Sequence, residues 1–208
     1  MKREVISPDY YGLDLRTKQA ATYRINNPGI KPSYNVATFH LTRRYGIDDD
    51  RNAVEWFSKH DYPDRLITMA SLGVGFEQEV GIHGRTIRLN TSHSEYMFFH
   101  HNEEFLKLKD NDNLWPKVYI IDWVFTERPA CGGNWHNMKL VAGGCDHLLR
   151  SSEGHQQLRL WDPDKGGEFP YDDRKELEIT VYSSFAPDGA AGAIRTALAA
   201  YRKTLPKK

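Results

Sequence analysis

The chain reads as an α/β protein in three layers, α/β/α, with a central mixed sheet flanked by helices. Three observations predict this. Residues Lys117–Phe125 (KVYIIDWVF) are β-branched or aromatic nearly throughout, which suits a central strand covered on both faces. Residues Ala190–Lys203 are Ala-rich and amphipathic, with Ile194, Leu198 and Tyr201 on one side. Between residues 76 and 203 the patterns run hairpin, helix, strand, helix, strand, helix, an alternation that predicts helices packed on a sheet.

Taken in order, residues 1–35 are rich in Pro, Tyr and Asn with weak periodicity, which predicts an irregular or partly ordered lead-in. The pattern from Val36 to Tyr45 is ambiguous. Val54, Trp56 and Phe57 among charges suggest a short helix over Asp48–His60, with Asp48 to Asp50 as its cap and Pro63 as its stop. Leu66–Gly75 is mostly apolar and ends in glycines. Alternation on both sides of His83-Gly84 predicts a hairpin over 76–90. Thr91-Ser92 is an N-cap pair for a helix reaching Phe105, with His93 and Glu95 in its first turn and Met97, Phe98 and Phe105 as apolar surface. Lys117–Phe125 follows as the central strand, with Asp122 as its one discordant residue. Thr126–Gly144, Gly-rich and containing Pro129, is expected to be loop. Cys145–Arg150 starts a helix, Glu176–Phe185 is a strand, and Ala190–Lys203 is the last helix. Residues 1–65 are thus expected to form an N-terminal extension, packed on or leading into a domain at 66–208.

Composition narrows the function. The 208 residues suit one domain with a sizeable core. Lys+Arg 28 balances Asp+Glu 28, so no global cationic field drives nucleic-acid binding, and any basic groove is local. No apolar run approaches the roughly 20 residues of a membrane helix, and MKREVISPDYYG lacks an apolar signal core. Synthesis in a reducing cytoplasm, or as a piece of a longer exported chain, fits both facts.

The chemistry concentrates in His93-Ser94-Glu95 and the only two cysteines, Cys131 and Cys145. Catalytic zinc takes three protein ligands and keeps one position open, and a His with two thiolates serves. A Glu two residues from the ligand His, in the first turn of a helix, can reach the metal's water without binding the metal. A buried thiol pair or one disulfide is the ordinary alternative. Trp123 and Trp135 are candidates for stacking on a base. Arg85, Arg88 and Arg128 are candidates for phosphate contact.

His93-Ser94-Glu95, the strand running into Thr126-Glu127-Arg128-Pro129-Ala130-Cys131, and Cys145 at a helix start resemble the signature of the cytidine-deaminase-like superfamily. Its members carry H-x-E on one helix and P-C-x-x-C at the start of the next. The strand into TERPAC resembles the bacterial toxin branch of nucleic-acid deaminases. The resemblance covers residues 76–203 and includes element order. It implies a deaminase-like fold at 66–208, Zn²⁺ held by His93, Cys131 and Cys145, and Glu95 as the proton shuttle. Asn90 resembles the strand-end Asn that touches the nucleotide sugar. Two departures stand out: Ala130 separates Pro129 from Cys131, and the cysteines lie 14 apart (145 − 131). The glycine-flanked stretch between them is taken as an insertion that leaves and returns to one place, with His136 or His147 as alternative to Cys145 as ligand.

The implied activity is hydrolytic deamination of cytosine to uracil in nucleic acid, with single-stranded DNA favoured over double-stranded DNA or RNA. A nucleoside deaminase, a non-enzymatic domain with a structural zinc site and a metal-free interaction domain are the competing readings. The implied setting is a monomer without membrane contact. It is either cytoplasmic or delivered into a target cell as the C-terminal domain of a secreted toxin, with an immunity protein as a possible partner.

Overall fold

A computed structural model describes residues 2–43, 45–47, 53–55, 60, 63–72, 77–82, 85–98, 119–131, 134–136, 139–142, 145, 149, 161–162, 167–168 and 179–206. For residue 43 and for the strands at 45–47, 53–55, 77–82, 85–90, 119–120, 134–136, 139–142, 161–162 and 167–168, the path is described and the side chains are not. The remaining part of the predicted helix to Phe105, with the His100-His101 pair, lies outside the described residues.

Five strands make a mixed sheet in the order β1-β13-β8-β2-β5: β1 is Lys2–Val5, β2 Val36–Arg43, β5 Arg65–Ala70, β8 Tyr119–Thr126 and β13 Thr180–Ser183. β8 sits at its centre, parallel to β13 and antiparallel to β2. The fold is therefore α/β, and strands from both sides of residue 65 build one sheet.

Each face of the sheet carries its own core. On one, Ala37, Phe39 and Leu41 of β2 and Ile121 and Val124 of β8 pack with Phe98 and Leu149. Phe98 belongs to α2, whose described helical residues are 94–98, and Leu149 to α3, helical at Cys145 and Leu149. The rings of Phe39 and Phe98 stack at 3.9 Å. On the other face, Val36 and Phe125 pack with Ala20 and Ala21 of α1 (Leu15–Asn26) and with Ile194 and Tyr201 of α4 (Ala190–Thr204). The alternation along β2 and β8 is what a strand covered on both faces requires.

The discordant Asp122 has a structural reason. Leu41 pairs with Ile121 and His40 with Trp123, so Asp122 is the extra residue of a β-bulge. It points its carboxylate to His40 Nδ1 at 3.0 Å and stays half exposed.

Four expectations are corrected. The lead-in 1–35 contains β1 and α1; Asp14 caps α1 by accepting from the Arg16 N–H at 2.9 Å. The helix expected over 48–60 gives way to a small antiparallel hairpin of β3 (Tyr45–Ile47) and β4 (Ala53–Glu55). The expected loop 126–144 contains a second hairpin, β9 (Asn134–His136) with β10 (Lys139–Ala142). The helix expected from Thr91-Ser92 takes helical form from residue 94, with the His93 carbonyl accepting from Met97 N–H. The hairpin over 76–90 is present as β6 (Glu77–Ile82) and β7 (Arg85–Asn90). Two further short strands, β11 (Trp161–Asp162) and β12 (Gly167–Glu168), pair with each other. Among the described residues no helix is long and apolar enough to cross a membrane.

Candidate metal centre and its cavity

The site lies at one end of the sheet, past the last residues of β5, β8 and β13, where ligands of open α/β sheets bind. Backbone bonds hold the surrounding loops there: Ser71 N–H to the Asn35 carbonyl and Leu72 N–H to the Ser92 carbonyl, both 2.7 Å. The end of β8 delivers Thr126 through Cys131, α2 delivers His93 to Glu95, and the start of α3 delivers Cys145.

The two cysteines meet. The hairpin β9–β10 spans most of their separation in sequence and returns the chain, so that Cys145 N–H donates to Cys131 Sγ at 3.2 Å. His93 Nδ1 lies 3.3 Å from Cys145 Sγ and 3.5 Å from Cys131 Sγ, and all three donor atoms fall within 4.8 Å of one another. Zinc bonds of about 2.3 Å to sulfur and about 2.0–2.1 Å to nitrogen, at a tetrahedral angle, place such donors about 3.6 Å apart. The donor set and its spacing therefore fit a zinc-sized ion, with three protein ligands among the described residues. His136 and His147, the alternative ligands, have side chains outside the described set.

The sulfurs share protons unequally. Cys131 is pulled down to about 4, first by the hydrogen bond from Cys145 and then by His93 and the Cys145 N–H. Cys145 is pushed well up by the same hydrogen bond to Cys131 and by burial. The two shifts run in opposite directions, favouring thiolate on Cys131 and thiol on Cys145. That thiolate in turn raises His93 through its hydrogen bond. Thiolate is the form a metal takes.

Glu95 stands beside this cluster and outside it. It is 2% exposed, and burial raises its pKa. Oε2 accepts from Ser94 Oγ at 3.0 Å, and Oε1 faces Thr126 Oγ1 at 3.4 Å. The single Thr126 hydroxyl proton has a nearer acceptor, the Arg128 carbonyl at 2.8 Å, so Thr126 holds Oε1 only weakly. Asn35 braces this frame: Nδ2 donates to Thr126 Oγ1 at 2.6 Å and to Ser94 Oγ at 3.2 Å, and Oδ1 accepts from Arg128 N–H at 3.1 Å. A cavity of about 440 Å³ opens here, lined among others by Asn35, His93, Glu95, Arg128 and Cys131.

The other expected substrate residues divide. Arg128 lines the cavity. Trp123 does not; it packs with the core formed by α1 and α4, stacked on His40 at 5.1 Å and edge-on to Tyr182 at 6.3 Å. Asn90 closes β7 and Trp135 lies on β9, with side chains outside the described set. Sequence reasoning missed Asn35, Ser94 and Thr126. Ser94 and Thr126 lie inside the motifs that were noticed, whereas no local pattern marks Asn35, which is 91 residues from its partner Thr126.

Set against protein-family models, curated proteins and solved structures, the chain finds no significant match in any of the three.

Proposed function

We propose that the protein is a zinc-dependent deaminase converting cytosine to uracil in nucleic acid, with single-stranded DNA as the favoured substrate. The observation that carries this reading is the placement of Glu95. A buried carboxyl with a raised pKa lines the same cavity as His93 and Cys131, and does not join the His-Cys-Cys donor set. A purely structural zinc site has no use for such a group; a hydrolytic one does. Helices against both faces of a mixed sheet support the finer reading of a three-layer, deaminase-like fold.

His93, Cys131 and Cys145 would hold the zinc. When bound, zinc supplies a Lewis acid that makes water acidic enough to react near neutral pH. Glu95 takes a proton from the attacking water at Oε1, the oxygen that Thr126 holds weakly. It returns that proton to N3 of the base as the C4–O bond forms. It then carries the second proton from the new hydroxyl to the amino group, the C4–N4 bond breaks, and ammonia leaves. Water is consumed and no oxidant or reductant is needed. Ser94 and Asn35 keep the carboxylate aimed through these steps. A base inside a duplex must be flipped out at a cost of a few kcal/mol, so a single strand reacts more readily. Delivery as part of a secreted toxin, with an immunity protein as partner, belongs to the same proposal.

The test is incubation of zinc-loaded protein with single-stranded and duplex DNA and RNA, followed by sequencing for C-to-U changes. Glu95→Ala should keep its zinc and lose about 10²–10⁴-fold in rate. Retained activity in that variant overturns the mechanism.

A further inference from the structure

Among the described residues Arg128 is a cation without an anion. Its backbone is fixed on both sides, by the N–H bond to Asn35 and the carbonyl bond from Thr126. Its guanidinium makes one hydrogen bond, Nη2 to the Pro32 carbonyl at 2.9 Å. Nε is buried with no partner, and among the described residues no carboxylate pairs with it. Arg16 and Arg24, by contrast, each face a carboxylate at 2.6 Å. A buried N–H left unpaired costs about 1–3 kcal/mol, and such groups in a folded protein call for an explanation. Arg128 also lines the cavity that holds Glu95, His93 and Cys131.

We propose that Arg128 is the anion anchor of this cavity and takes a phosphate of the substrate. Cytosine nucleotides and strands therefore bind here, and the free nucleoside binds poorly. The planar guanidinium fork matches two phosphate oxygens at once. Asn35 joins it to Ser94 and Thr126, so the phosphate subsite and the acid/base group share one short frame. The inference rests on the deaminase reading for the identity of the base, and on Arg128 alone for the phosphate.

The test uses the full zinc-loaded chain carrying Glu95→Gln, so that nothing turns over, with calorimetric titration of deoxycytidine, dCMP and a short cytosine-containing single strand. Adding Arg128→Gln should weaken dCMP and the strand about ten- to hundredfold and leave deoxycytidine unchanged. Arg128→Lys, which keeps the charge and loses the fork, should recover part of the loss. Weakening of the strand alone also supports the anchor and assigns the phosphate to a neighbouring nucleotide. Equal weakening of deoxycytidine, unchanged binding of both phosphorylated ligands, or no binding of either overturns it. Zinc content reports that each variant has folded. Inorganic phosphate should compete with dCMP only when Arg128 is present. If that competition is seen while the protein with Glu95 intact converts no cytosine, the deaminase reading falls and the anchor stands.

Discussion

Replacing Arg24 by Met should be among the most damaging single changes outside the His93, Cys131 and Cys145 cluster. Arg24 is 3% exposed and Glu127 fully buried. Nε and Nη2 of Arg24 donate to the two carboxylate oxygens at 2.6 and 2.7 Å. Tyr11 hydroxyl and Val36 N–H also donate to that carboxylate. The guanidinium further bonds the carbonyls of Lys31 and Tyr34. Losing it strands a buried charge and frees two carbonyls, and breaking a buried pair costs about 3–5 kcal/mol. Total stability of a domain is only about 5–15 kcal/mol. At about 2–4 °C per kcal/mol for a chain of this size, Tm should fall by about 6–20 °C. Thermal and urea unfolding of Arg24→Met, Glu127→Gln and the double variant form the assay. The double variant, which leaves no buried charge, should regain at least about 1 kcal/mol over the sum of the singles. A loss under about 1 kcal/mol in Arg24→Met, as for an exposed pair, would refute the reasoning.

Zinc binding near neutral pH should release roughly one to two protons, because Cys131 is already a thiolate while Cys145 and part of the His93 population must each lose one. Zinc affinity then falls as pH falls; calorimetry in buffers of different ionisation heat gives the number, and zero release contradicts the proton assignment. Gly12→Ala should cost about 2–5 kcal/mol, since its φ of +85° disfavours a side chain and a Cβ there would lie 2.4 Å from the Tyr201 ring. Gly189→Ala, at φ +75° with nothing within 4 Å, should cost about 1–2 kcal/mol less; equal unfolding midpoints for the two would remove the clash from the account. Phe98→Ala, which empties the place stacked on Phe39, should cost about 3–5 kcal/mol in denaturant unfolding.

The donor set was legible because its chemistry is rare: the chain has only two cysteines, and His93-Ser94-Glu95 lies ahead of them at a helix start. The central strand was legible because β8 is apolar on both faces. Helix α1 was not, although its buried positions Thr17, Ala20, Ala21 and Arg24 follow helical spacing. Three are small and the fourth is charged, so no hydropathy pattern betrays the stripe. In β2 the polar Thr38 and His40 hide a strand that the Thr38–Thr68 hydroxyl pair and the Asp122 carboxylate satisfy. The roles of Asn35 and Glu127 depend on partners about 90 to 116 residues away, and a local reading has no access to such pairings.

The strand order also sets a sequence of events in time. β1 is synthesised before the other strands of the sheet, yet in the sheet it pairs only with β13, whose residues emerge 178 positions later (180 − 2). β2, β5 and β8 can pair before that. β13 must then dock along β8 and offer its far edge to β1. Closing so long a loop is entropically costly and slow. β1, ahead of the other strands in the chain, is therefore the last of them to find a neighbour, and until then it is an unpaired β-segment exposed to chaperones and to other chains.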